Sequence, residues 1–143
     1  MMNKFDNYLK LGKVKRKTPD YEEARALYNK SHDRLEYTKT KEINNKTAQF
    51  VLEDSYEAIR ESAQALMSIR GFKPYSHEAT ISFVKEFYNE KFSEEELRKF
   101  DRFRQLRNDS VYMAKTVANE DAQACLLFAK LFIKKIRSLL NIK

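Results

Sequence analysis

The sequence predicts an all-α protein, built as a five-helix up-and-down antiparallel bundle. Three observations carry that expectation. The 143 residues include only two glycines and two prolines, so the positive-φ positions needed for tight hairpins, Walker-type loops and dinucleotide fingerprints are missing. Apolar residues recur at helical spacing along most of the chain. Helix start and stop signals separate those stretches. Hydrophobic residues make up 42% of the chain, enough for one core in a chain of single-domain length.

The elements follow in order. Residues 1–17 form a basic N-terminal arm, expected to be poorly ordered, although Phe5, Tyr8, Leu9 and Leu11 can dock a short turn onto the body. Residues 18–143 form the helical bundle domain. Asp20 behind Pro19, with Glu23 three residues on, signals a capping box and a first helix from about Tyr21 to Tyr37, its inner face Ala24, Leu27, Tyr28 and Leu35. Thr38 to Lys46 is a polar link. Phe50, Val51, Ala58, Ile59, Ala63, Leu66 and Ile69 mark a second helix that Gly71 closes. Phe72-Lys73-Pro74-Tyr75 connects, with Pro74 preventing continuation. Ser76 caps a third helix carrying Ile81, Phe83, Val84, Phe87 and Tyr88. Ser93 and Glu96 form a second capping box, opening a fourth helix with Phe100, Phe103 and Leu106 inside. Asn119 starts the last helix, whose stripe of Cys125, Phe128, Ala129, Phe132, Ile136 and Leu139 is widened by Leu126, Leu127, Leu131 and Ile133. So broad a stripe implies a central helix or one that meets a second subunit.

Charge is concentrated at the ends. Net charge is +7. Residues 1–17 hold Lys4, Lys10, Lys13, Lys15, Arg16 and Lys17 against Asp6, and residues 122–143 hold Lys130, Lys134, Lys135, Arg137 and Lys143 with no acid. Such ends suit a polyanion; equally, they serve solubility and complement a helix dipole. No apolar run reaches the ~20 residues of a membrane span, and no signal-peptide pattern follows the start. One cysteine, Cys125, forbids an intrachain disulfide and any multi-cysteine metal site. Its place in the apolar stripe marks a structural thiol. A cytoplasmic protein without membrane, metal or cofactor is expected.

Most catalytic constellations are missing. The two histidines, His32 and His77, lie in different helical regions, and neither they nor Cys125 have zinc-ligand spacing. Glu94-Glu95-Glu96 reads as first-turn acids at a helix N-terminus. The exception is the segment from Lys99 to Tyr112. Phe100 and Phe103 set its buried face, and Arg107 follows them by seven and four residues, so it rides on or beside the apolar stripe. A half-buried guanidinium requires a partner, either an acid of its own domain or an incoming phosphate or carboxylate held by two hydrogen bonds. Arg104 lies one turn earlier. Tyr112, about 140° around the helix from Arg107, is placed to flank that face and not to stack on it.

Arg107-Asn108-Asp109-Ser110-Val111-Tyr112 near the end of the penultimate helix resembles the signature of the HEPN superfamily. The similarity runs from about Tyr21 to Leu140 and includes Ile69-Arg70-Gly71-Phe72, the Ser76-His77-Glu78-Ala79 helix start and the apolar last helix. It is greatest to the small archaeal and bacterial members ending this helix in Arg-x4-Tyr. The resemblance implies a HEPN-like five-helix bundle that forms a homodimer through the motif helices. It also implies a shared cleft that, in active members, cuts RNA without a metal. Many members are toxins of toxin-antitoxin or defence systems, paired with a small nucleotidyltransferase that modifies a tyrosine near the motif. Carried over, Arg107 is the phosphate-stabilising arginine and Asn108 the polar residue after it. Tyr112 stands where the catalytic histidine is expected, and a phenol with a pKa of ~10 moves protons poorly at pH 7. The modified tyrosine falls on Ala114. His77 is assigned to its helix N-terminus or to packing.

Three functions follow. The first is a dimeric RNA- or nucleotide-binding module whose site comprises Arg104, Arg107, Asn108 and Tyr112. The second is a subunit that partners a nucleotidyltransferase without binding nucleic acid. The third is a metal-independent endoribonuclease toxin with Arg107, Asn108 and Tyr112 as its catalytic residues.

Overall fold

The hydrophobic stripe of one long helix organises the molecule. In the computed structural model, which describes residues 4–141, the order is α1 (Phe5–Lys10), β1 (Val14–Arg16), α2 (Tyr21–Lys39), α3 (Ala48–Arg70), β2 (Phe72–Pro74), α4 (His77–Phe87), α5 (Glu94–Met113) and α6 (Asn119–Leu140). The central helix is α3, which packs against α2, α4, α5, α6 and β2. Its Leu52, Tyr56, Ala58, Ile59, Ala63, Ala65, Leu66 and Met67 are wholly buried. The broad stripe of α6 therefore does not make it the central element: Leu127 and Leu131 remain 57% and 63% exposed. Phe50, expected inside, is also exposed, because it sits in the first turn of α3, beside the polar link.

The five expected helices are all present, and their ends obey local chemistry. The Asp20 side chain accepts from the Glu23 amide at 2.9 Å. The reciprocal half of that expected box is absent because Glu23 pairs instead with Lys17 at 3.2 Å. The Ser76 hydroxyl accepts from the Ala79 amide, and Ser93 with Glu96 closes a complete capping box. At this same start of α5, Lys135 of α6 reaches Glu96 at 2.8 Å, so one of the C-terminal cations is neutralised internally. Lys143, also counted in that basic run, lies outside the described residues.

Residues 4–17 correct the expectation of a poorly ordered arm. Phe5 and Tyr8 of α1 are buried. The Phe5 ring meets Phe72, Phe83 and Phe87 edge-on, with centroids 5.1, 5.8 and 5.5 Å away. Burying one such ring contributes about 1.5–3 kcal/mol, sufficient to hold a short helix that would not form alone. β1 then pairs antiparallel with β2, in the register Val14↔Pro74, Lys15↔Lys73, Arg16↔Phe72. The expected connector is thus a strand, closing a two-stranded sheet outside the five-helix plan. Gly71, at φ +80°, lets the chain turn directly from α3 into β2.

Candidate functional site

The C-terminal half of α5 carries the Arg-x4-Tyr segment. Phe100 and Phe103 anchor it in the core, and Ser110 ties it to α3 by donating to Glu53 Oε2 at 2.7 Å. These anchors leave Arg107 half-buried. Its Nη1 donates to Asn108 Oδ1 at 3.1 Å, and its Cζ lies 5.6 Å from the centroid of the Tyr112 ring. The tyrosine therefore does more than flank the arginine: the long side chain of Arg107 spans the angular gap and meets the ring in cation–π geometry. Tyr112 itself is 73% exposed. Among the described residues no carboxylate pairs with Arg107.

The neighbouring arginines differ. Arg104 Nε donates to Asp101 Oδ1 at 2.8 Å, and its Nη1 is 3.8 Å from Glu78 Oε1. Arg60 of α3 donates to Glu57 and, at 2.9 Å, to Gln64. Of the four predicted site residues, Arg107, Asn108 and Tyr112 are brought together, with Arg107 touching both of the others. Arg104 sits beside them with its charge already compensated.

Four further groups, Tyr56, Glu57, Arg60 and His77, share this place without having been assigned to it from the sequence. Tyr56 from α3 places its hydroxyl 3.1 Å from His77 Nδ1, and the two rings stack at 5.6 Å with 22° between planes. His77 opens α4. Burial lowers its pKa from 6.5 to about 4, assisted by the charges of Arg60, Arg107 and Arg104 and opposed by Glu57. It is therefore a neutral imidazole at pH 7. Burial also pushes the Tyr56 phenol up, against the pull of Arg104, Arg60 and Arg107. His77 does stand at its helix N-terminus and in packing, as expected. What the sequence concealed is that α3 brings Tyr56, Glu57 and Arg60 to it, within electrostatic reach of Arg107. The available signal was weak: a tyrosine and an arginine one turn apart in an amphipathic helix.

Cys125 is buried, which raises its thiol pKa, and its Sγ faces the Leu52 carbonyl at 3.9 Å; it takes no part in the site. Among the described residues no group of three or more His, Cys, Asp or Glu side chains is arranged to hold a metal ion. Nor is any described helix long and apolar enough to cross a membrane.

An anion approaching Arg107 would meet a cation with open hydrogen-bonding capacity and an exposed aromatic ring, with a neutral imidazole within reach of the same charge. No curated protein matches the sequence. The family model of the HEPN domain does, over residues 24–139, which takes in α3 to α5, almost all of α2 and α6, and every residue of the Arg107 site. A match of that extent on a helical fold of this order settles the membership: the chain belongs to the HEPN family.

Proposed function

We propose that this HEPN protein is a dimeric binding module whose Arg107-centred cleft engages a phosphate of RNA or of a nucleotide. One observation carries the reading. Arg107 is half-buried and among the described residues has only a neutral amide and an aromatic ring as partners, while Arg60 and Arg104 are both paired with carboxylates. A guanidinium that the fold leaves uncompensated is suited to bidentate phosphate binding. Val111, Tyr112 and Met113 support the dimer, since they and Leu127 and Leu131 of α6 are apolar or aromatic side chains left exposed. Burial against a second copy would bring two Arg107 side chains to one seam.

The test compares wild type with Arg107→Ala for single-stranded RNA affinity at matched salt, with sedimentation to establish the oligomeric state. Loss of one phosphate contact lowers affinity about tenfold or more and reduces the salt slope by about 0.7. Because no carboxylate is orphaned, thermal stability stays within about 0.5 kcal/mol of wild type. Unchanged RNA affinity would remove Arg107 from the site.

A second reading, metal-independent RNA cleavage, would need a proton-transfer group near pH 7, which neither the Tyr112 phenol nor His77, its pKa lowered by burial to about 4, supplies well. RNA left intact by the purified protein in EDTA, over a range of pH, would exclude it.

A further inference from the structure

The β1–β2 ladder presents one face to solvent, and that face is chemically uniform. Side chains alternate across a strand, so Val14 and Phe72 turn inward and are buried while Lys15 and Lys73 turn out. The backbone pairing continues past the strands, with the Tyr75 amide donating to the Lys13 carbonyl at 2.8 Å. Lys13 and Tyr75 are exposed there too. Lys15 and Lys73 are direct cross-strand partners, an arrangement in which like charges destabilise the sheet. Their ammonium groups lie 5.3 and 5.6 Å from the centroid of the Tyr75 ring, which is itself 55% exposed. Among the described residues no carboxylate pairs with Lys13, Lys15 or Lys73; Lys17, next along the chain after β1, is the one that has found Glu23. Repulsion between paired lysines does nothing for folding. An external polyanion would relieve it.

Position gives the patch a second meaning. Tyr75, Ser76 and His77 are consecutive, so at most about 7 Å of chain separates the aromatic end of the ladder from the imidazole beside Arg107. That imidazole in turn feels the Arg107 charge. β1 lies outside the segment matched to the HEPN domain, residues 24–139, whereas β2 lies within it.

We infer that Lys13, Lys15, Lys73 and Tyr75 form a platform for single-stranded nucleic acid, extending the Arg107 cleft so that its ligand is an oligonucleotide and not a mononucleotide. The lysines take successive phosphates and Tyr75 offers a base its ring, the combination by which single strands are held without sequence preference. The platform stands on its own geometry; its continuation into the cleft rests on the reading of Arg107 given above.

The experiment measures binding of fluorescein-labelled oligouridylates of about 4 and about 12 nucleotides by anisotropy over a salt series. The proteins are wild type, Lys15→Ala/Lys73→Ala, Tyr75→Ala and Arg107→Ala. The lysine variant relieves a like-charge pair, so its melting temperature is expected at or above that of wild type, which keeps loss of folding from imitating loss of binding. Wild type binds the longer strand at least about tenfold more tightly than the shorter. The lysine variant loses that length advantage and about 1.4 of the salt slope, while Tyr75→Ala weakens the longer strand with the slope retained. A lysine variant that binds the longer strand like wild type overturns the platform. Equal loss of binding to both lengths does so too, because it would place the lysines inside a mononucleotide site. Binding by wild type to phosphatidylserine vesicles but to neither oligonucleotide would assign the patch to a membrane and overturn the inference. If Arg107→Ala holds the longer strand fully while the lysine variant does not, the Arg107 reading fails and the platform stands. The opposite pattern removes the platform and leaves Arg107 in its role.

Discussion

At the scale of single residues, the protein keeps two unusual groups side by side. Arg107 is a cation that no carboxylate pairs with among the described residues, and His77 is an imidazole held neutral by burial and by the charges of Arg60, Arg107 and Arg104. The second group has a measurable cost. Its folded pKa of about 4 lies below the ordinary 6.5, so between those values the unfolded chain binds a proton that the folded chain refuses. Stability is complete above pH ~6.5 and is lost progressively as pH falls toward ~4. In His77→Gln, which can still hydrogen-bond Tyr56, denaturant midpoints should fall less over that window than in wild type. The same pH dependence in both proteins would show that another group titrates. From sequence, Arg107, Asn108 and Tyr112 were legible as a group because one turn and a half of helix holds them together. Their relation to His77 and Tyr56 was not, since those residues arrive from α4 and α3, and nothing local encodes the packing between helices.

At the scale of elements, the helix ends were readable and the sheet was not. Asp20, Ser76 and Ser93 cap where their side chains permit, and Gly71 terminates α3 in the left-handed region; these are decisions made within four residues. β1 finds its partner on the far side of two long helices in chain order, and a three-residue strand carries too little alternation to announce itself. The basic composition of residues 13–17 reads equally well as a solvated arm until Phe5 and Tyr8 are seen to be buried. The junction depends on Gly71. A Cβ there would stand 2.6 Å from the Lys17 carbonyl and 3.2 Å from the Pro19 ring, against backbone that cannot swing aside. The Lys17 amide also donates to the Gly71 carbonyl at 2.8 Å, so the same contact closes the ladder. Gly71→Ala combines a left-handed alanine with that clash and should cost about 2 kcal/mol or more, read as a lowered melting temperature together with faster amide exchange in β1. A neutral substitution would mean that the ladder does not depend on this turn.

At the scale of the whole molecule, positive charge is neither spread evenly nor confined to the termini. Lys17, Arg34, Arg60, Arg104 and Lys135 are paired with acids inside the bundle. Arg107 and the outer face of the ladder have no such partners among the described residues, and the ladder ends where β2 runs into α4, whose first residue, His77, feels the Arg107 charge. The helical architecture supplies the HEPN frame, and the β1–β2 ladder gives one edge of it a cationic surface. The proposed function requires an anion at Arg107, and His77 reports that location. A phosphate there would offset the charges that depress the imidazole, so the His77 pKa should rise when RNA is bound. The most direct measurement is an NMR titration of His77, assigned with His32→Gln, with and without a saturating single-stranded oligonucleotide. The expected result is a clear upward shift from about 4 in wild type and none in Arg107→Ala. An unchanged His77 pKa in wild type saturated with RNA would place the ligand elsewhere and contradict an Arg107-centred site.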